Sequence, residues 1–215
     1  MKNHHTAFSP LKPICQSILT GWLIGSAAFA PTAHAEQQRL IVAGGCFWCV
    51  ESDFEKVPGV IKVESGYTGG QTLKPTYKQV SLGKTGHYEA VEIVFEDDQV
   101  SLTSLVDYFW KTIDPTDASG QFCDKGAPYR TGLFYQNESQ RAIFEASLAK
   151  ITKEKPFNAD IVTPILPASE FYLAEQYHQD YYKKNPIRYG FYRSSCGRDR
   201  TIEQLWGEVA SKDYH

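Results

Sequence analysis

Apolar positions change their period several times along the chain, and each change marks an element. Leu40, Ile41, Val42 and Ala43 follow Arg39 as a short apolar run that ends at Gly44-Gly45, which predicts a buried strand. From residue 46 to 57, Phe47, Val50, Phe54 and Val57 fall at helical spacing, and Pro58-Gly59 stops the run. Val60–Val63 reads as a second strand leading into Gly66-Tyr67-Thr68-Gly69-Gly70, a flexible turn. Residues 71–86, rich in Gly, Thr, Lys and Pro, read as a long functional loop. Val91, Ile93 and Phe95 alternate with Ala90, Glu92, Val94 and Glu96, the two-residue period of a strand. Ser101 caps an amphipathic helix carrying Leu102, Leu105, Val106, Phe109 and Ile113. An irregular stretch over 114–128 precedes a strand at 129–135 and a helix at 138–155 with Ile143, Leu148 and Ile151 inward. Residues 159–166 read as a strand, placed at an edge by Pro164. An aromatic-rich helix is expected over 171–184, stopped by Asn185-Pro186, and a short terminal helix over 201–211. Helices and strands interleaved in this way predict an α+β fold, a two-layer sandwich whose mixed or antiparallel sheet is packed by helices.

The first 35 residues follow a different logic. Lys2 and Lys12 precede an uncharged stretch from Ile18 to Ala30, and Ala33-His34-Ala35 offers a small-x-small cleavage site before Glu36. That is the layout of a secretory signal. Ala28-Phe29-Ala30 is a second possible site, disfavoured by Pro31, and an uncleaved anchor is the bland alternative. The apolar run is short against the ~20 residues a membrane span needs. The expectation is a cleaved signal over 1–35 and a single catalytic domain over 36–215, exported and, in a two-membrane bacterium, periplasmic.

Composition narrows the class further. Among 215 residues, 22 Lys+Arg face 25 Asp+Glu for a net charge of −3, and 42% of residues are hydrophobic. Such a balance excludes a disordered chain, a fibrous repeat and a polytopic membrane protein, and it lacks the basic footprint of a nucleic-acid binder. No membrane association is expected once the signal is cleaved, and the domain is expected to be a monomer.

Chemistry points to the cysteines. Beyond Cys15, which lies in the signal, they are Cys46, Cys49, Cys123 and Cys196. Two structural disulfides are the default for an exported protein. That default fits poorly, because a bridge between Cys46 and Cys49 would close almost no loop. Zinc fits worse, since Cys123 and Cys196 have no neighbouring second ligand, and no metal is expected. A reactive thiol fits better. A strand delivers Cys46 to a helix start, where free N–H groups and the helix dipole would lower its pKa. Cys49 follows one turn on, with Cβ atoms ~5–6 Å apart, close enough to pair if the first turn opens. Taken alone this is a dithiol redox site, but Phe47-Trp48 between the sulfurs points to a pocket for something apolar.

Gly45-Cys46-Phe47-Trp48-Cys49 resembles the signature of peptide-methionine sulfoxide reductase of the A type, which acts on the S epimer. Further segments resemble that family in order: Gly66-Tyr67-Thr68-Gly69-Gly70, Pro75-Thr76-Tyr77, Gly86-His87-Tyr88-Glu89-Ala90-Val91, Asp114-Pro115-Thr116-Asp117, Tyr129-Arg130, Ala174-Glu175, Tyr177-His178-Gln179 and Lys184-Asn185-Pro186. The resemblance covers about residues 39–207. It implies a ferredoxin-like core with long loops, no bound cofactor, and electrons from thioredoxin or a thioredoxin-like protein. It also implies Cys46 as nucleophile, Phe47 and Trp48 as the wall for the substrate S-methyl group, and Tyr77, Glu89, Asp124 and Tyr129 as polar groups around the sulfoxide oxygen.

Those residue types suit the reaction. A sulfoxide oxygen leaves only once protonated, so a soft nucleophile must act on sulfur while an acid serves oxygen. Cys46 thiolate would attack, Glu89 kept protonated by its site would donate, and the Tyr77 and Tyr129 hydroxyls would share the developing charge. Methionine leaves, Cys46 becomes a sulfenic acid, and a second thiol closes an intramolecular disulfide. Cys49 is favoured as that resolving thiol, with Cys196 in a Ser/Gly-rich segment as the alternate and Cys123 as a buried or unreactive thiol near the pocket. His87 and His178 read as structural hydrogen-bonding groups. Two other functions compete: a thioredoxin-like dithiol-disulfide oxidoreductase, and a non-catalytic binding module with bridged cysteines.

Overall fold

The structure is a computed structural model and describes Met1 and residues 37–207; all of the expected signal beyond Met1 lies outside them. Strand β1 (Gln37–Gly44) runs into helix α1 (Phe47–Phe54), and the chain returns in β2 (Val60–Thr68). A short helix α2 (Tyr77–Ser81) precedes β3 (Tyr88–Glu96) and helix α3 (Leu102–Lys111). A small hairpin, β4 (Gly120–Gln121) with β5 (Asp124–Lys125), and a 3-10 turn over Ala127–Tyr129 lead to β6 (Thr131–Tyr135) and the long helix α4 (Glu138–Glu154). The rest comprises β7 (Ile165–Pro167), β8 (Tyr172–Leu173), α5 (Tyr181–Lys184), α6 (Pro186–Cys196) and α7 (Arg198–Trp206).

Six strands form one sheet in the order β7-β6-β1-β3-β2-β8. Its middle four, β6-β1-β3-β2, pair antiparallel and follow the ferredoxin-like order, with β3 inserted between β1 and β2. The edge strand β7 runs parallel to β6, so the sheet is mixed. The unbroken apolar run of β1 is explained by burial on both faces. Leu40 and Val42 join the main core with Val50 and Phe54 of α1 and Leu105, Phe109 and Trp110 of α3. Ile41 and Ala43 face the other way, onto Tyr88, Ala90 and Phe134, with Leu166, Ala168 and Phe171 packed against them. Helix α4 docks on α3 through Trp110, whose indole N–H donates to Ser147 Oγ at 3.0 Å. Phe144 is its fully buried residue, whereas Ile143 and Leu148 are only partly covered.

Five expectations are corrected. Gly66, Tyr67 and Thr68 belong to β2 and are not a flexible turn: Gly66 pairs with both Ala90 and Leu173, and a Cβ there would lie 2.3 Å from the Phe171 ring. Residues 71–86 are not all loop, because Thr76 and Gln79 build a capping box that starts α2. The strand expected over 159–166 is confined to Ile165–Pro167. The aromatic segment 171–184 is not one helix. It makes β8, passes Asp180 in the left-handed region at φ 53° and forms only one turn of helix. Its rings pack in different places, Phe171 over Gly66 and Tyr181 on Trp48, which overrides their helical spacing. Pro186 does not stop a helix but begins α6 at the position where a missing N–H costs nothing.

Candidate active site

The strand-to-helix junction sets the site. Gly45 sits at φ +84°, and a Cβ on it would lie 2.6 Å from Gln121 Cβ. Gln121 is itself locked: its Oε1 accepts from Asp114 N–H at 2.8 Å, and its Nε2 donates to Asp114 O at 2.7 Å. Gly45→Ala is therefore expected to cost about 1–3 kcal/mol and to lower kcat by misplacing Cys46. Thermal unfolding and steady-state kinetics of the one variant check both.

Cys46 is the N-cap of α1, with its carbonyl accepting from Cys49 N–H at 3.1 Å. Its sulfur takes no capping bond. The Phe47 N–H donates instead to Glu89 Oε2 at 3.2 Å. The expected lowering of the Cys46 pKa by the helix start is thus not what the structure gives. Burial, then the hydrogen bond and charge of Cys49, raise the Cys46 thiol. Cys49 is lowered, first by the bond from Cys46 and then by the nearby Arg198 and Arg193. Both thiols are free, and they are only 6% and 2% exposed.

Across from the sulfurs stands Glu89, at the start of β3, 2% exposed. Burial, and after it the neighbouring Asp124 and Cys49, push its pKa up to about 8, so the carboxyl is protonated at neutral pH. Tyr77 opens α2, and its backbone N–H is held by Glu175 Oε1 at 2.8 Å. Its hydroxyl is pushed up to about 12, mainly by burial and then by Glu89. Tyr129 ends the 3-10 turn, and the same two causes raise its hydroxyl. Asp124 comes from the hairpin strand β5. Phe47, fully buried, and Trp48 supply the apolar wall. Trp48 is fixed twice, by its indole N–H donating to His178 Nδ1 at 3.0 Å and by stacking on Tyr181 at 3.7 Å between ring centroids. Accepting at Nδ1 suits a neutral His178, whose pKa burial lowers to about 4. His87 likewise bridges backbone, accepting from Gly70 N–H at 3.1 Å and contacting Thr72 O at 2.8 Å.

Cys46, Phe47, Trp48, Tyr77, Glu89, Asp124 and Tyr129 therefore line one cup of about 70 Å³. Its eighth wall residue, Tyr192, is absent from the sequence expectations. The Tyr192 hydroxyl donates to Asp124 Oδ2, and its ring meets the edge of Trp48. Tyr189, Tyr192 and Cys196 are spaced three and four apart behind Pro186, the helical signal by which the sequence marks this wall.

Cys196 is not beside Cys46 as a free thiol. It is bonded to Cys123, 73 residues away. Cys123 is exposed and disulfide-linked rather than a buried, unreactive thiol. Among the described residues the cysteines thus divide into one bridge spanning a long loop and one free pair, a combination that neither two disulfides nor four free thiols describes. No helix among the described residues is long and apolar enough to cross a membrane.

A thiol pair under an aromatic wall, facing a protonated carboxyl and two tyrosine hydroxyls, suits reduction of a small polar S–O group carried on an apolar stem. Known proteins agree with that chemistry. The family model for peptide methionine sulfoxide reductase matches residues 38–210. Peptide methionine sulfoxide reductase MsrA 2 of Rhizobium meliloti (strain 1021) is 48% identical over 193 residues, 90% of this chain and 96% of that protein. Mxr1 from Saccharomyces cerevisiae in reduced form superposes with a TM-score of 0.67 at 30% identity, over 71% of this chain and 87% of that one. Methionine sulfoxide reductase A of Corynebacterium diphtheriae gives 0.63 at 32% identity, over 72% and 78%. With the family match running from β1 through α7, the chain belongs to the peptide methionine sulfoxide reductase family.

Proposed function

We propose that this chain reduces the S-sulfoxide of methionine, free and within proteins, with Cys46 as nucleophile and Glu89 as acid. The observation that carries this reading is the buried Glu89 carboxyl sharing a small cup with Cys46, where burial pushes its pKa up to about 8. Substrate would enter with its S-methyl group against Phe47 and Trp48 and its oxygen toward Glu89, Tyr77 and Tyr129. Cys46 thiolate attacks sulfur while Glu89 gives its proton to oxygen. The S–O bond breaks, oxygen passes to the Cys46 sulfur as sulfenic acid, and methionine leaves, reduced by two electrons. Asp124, tied to Tyr192, closes the wall and keeps negative charge near Glu89, which supports the acid's protonation.

Cys49 then attacks the Cys46 sulfenic acid. A sulfur–sulfur bond forms, and hydroxide departs with the Cys49 proton as water. Two observations support Cys49 over Cys196: it is a free thiol packed in one buried cluster with Cys46, and Cys196 is held by Cys123. A dithiol reductant of the thioredoxin type reopens the bond. The signal-like pattern over 1–35 supports export, to a periplasm where there is one, with residues 36–215 as the mature catalytic domain.

A thioredoxin-like activity on protein disulfides is disfavoured by the same geometry, since both thiols lie beneath aromatic side chains. One coupled assay separates the readings. With a dithiol, methionine should be released from the S epimer and not from the R epimer, while insulin disulfides stay intact. Insulin turnover with indifference to both sulfoxides would overturn the proposal.

A further inference from the structure

Behind the thiol pair, away from the cup, lies a group of buried charges that the reaction as written does not use. Asp53 is one turn beyond Cys49 on the same face of α1 and is 2% exposed. Arg193 of α6 reaches it with an Nη1–Oδ1 distance of 2.7 Å, and the same nitrogen donates to the Tyr189 hydroxyl at 3.0 Å. Tyr189 packs in one cluster with Cys46 and Cys49. Arg198 of α7, 1% exposed, donates to Gly44 O at 3.1 Å and Thr112 O at 2.9 Å. Its Nε and Asp53 Oδ2 face each other at 3.6 Å, and neither makes a hydrogen bond. Two guanidinium groups thus share one buried carboxylate. The second carboxylate on Arg193, Asp199, is 56% exposed at its side chain and is screened accordingly.

A buried cation without its own buried anion is costly, and it favours any nearby group able to take negative charge. Cys49 is that group. We propose that Arg193 and Arg198, gathered on Asp53, are positioning residues that favour negative charge on Cys49 over Cys46 within the thiol pair. Cys46 then stays a thiol donating to the Cys49 sulfur until substrate arrives. Its proton moves to Cys49 as Cys46 attacks, and the same proton later leaves with hydroxide as water in the disulfide-forming step. The two steps therefore need no outside base.

The groups facing the pair all enter the account. Cys49 meets Arg193, Arg198, Asp53, Tyr189 and Glu89, Cys46 meets Glu89, Tyr77, Tyr129, Tyr192 and Asp124, and Tyr181 and Tyr182 of α5 pack in the same cluster as the pair. Among these, the two arginines are the cations. The inference rests on the reading of Cys46 as nucleophile.

The test is the pH profile of first-turnover methionine release and of alkylation by iodoacetamide, on the full domain without reductant. Arg193→Gln is expected to raise the midpoint of both profiles by about one unit, a roughly tenfold loss of rate below the midpoint. Arg193→Lys should restore it. Asp53→Asn removes the compensating anion and should lower the midpoint instead. Opposite shifts from two members of one buried cluster are not what a merely structural role produces, and midpoints are readable on the folded fraction of a weakened variant. Unchanged midpoints in both Arg193→Gln and Asp53→Asn, or shifts of the same sign, would overturn the proposal. A Cys46→Ser chain that still releases methionine would instead overturn the reading beneath it.

Discussion

Cys46→Ser is expected to abolish reduction of methionine S-sulfoxide, by at least about 10⁴-fold in first-turnover release. Oxygen transfer requires an atom that attacks sulfur and then carries the oxygen in an oxidised state. A thiolate does both, and an alcohol oxygen does neither. The substitution exchanges sulfur for a smaller oxygen in a site only 6% exposed, so the fold should tolerate it. Methionine measured by chromatography, with circular dichroism as the folding control, checks the expectation. Turnover surviving in a folded Cys46→Ser chain would mean that another thiol does the chemistry. Cys49 is the immediate candidate, because it is the other free thiol in the described residues.

Glu89→Gln tests the other half of the reaction. Gln keeps the carbonyl oxygen able to accept from Phe47 N–H but has no acidic proton. First-turnover release is expected to fall about 10²–10⁴-fold with little change in KM. Burial lifts Glu89 from the ordinary carboxylate range to about 8, so its acid form persists through neutral pH and is lost above about 8. The wild-type rate should therefore decline on the alkaline side, and that decline should vanish in the Gln variant. Stability follows the same sign. The folded pKa is raised, so the Glu89 contribution is fully present below about pH 4.5 and is lost as pH rises to about 8. Glu89→Gln should flatten stability over that window. An unchanged rate, or an alkaline decline that persists, would remove Glu89 as the acid.

Much of the site was legible because its parts are local. A strand ending at paired glycines, a cysteine at a helix start and a second one three residues on are properties of adjacent residues, and the period-two pattern of β3 placed Glu89 on a strand. The errors fall where distant packing wins. Gly66 reads as part of a flexible turn in sequence and is instead a strand residue lying against Phe171. The aromatic spacing of 171–184 predicted a helix, yet Tyr181 and His178 hold Trp48 from outside any long helix, and the helix that does follow begins at the proline read as its end. Cys123 looked inert because nothing within several residues could pair with it.

By itself the amino-acid order determined the candidate sulfur at the helix start, its aromatic neighbours and the alternation of helices and strands. Each of those depends on backbone preferences and side-chain spacing within a turn or two. Tertiary structure alone decided what surrounds the thiols and the carboxyl. The Phe47 N–H goes to Glu89 and not to the Cys46 sulfur, Cys196 closes on Cys123, and two arginines from the last helices stand behind Cys49. Solvation and electrostatic potential at a point sum over every group packed around it, whatever its position along the chain.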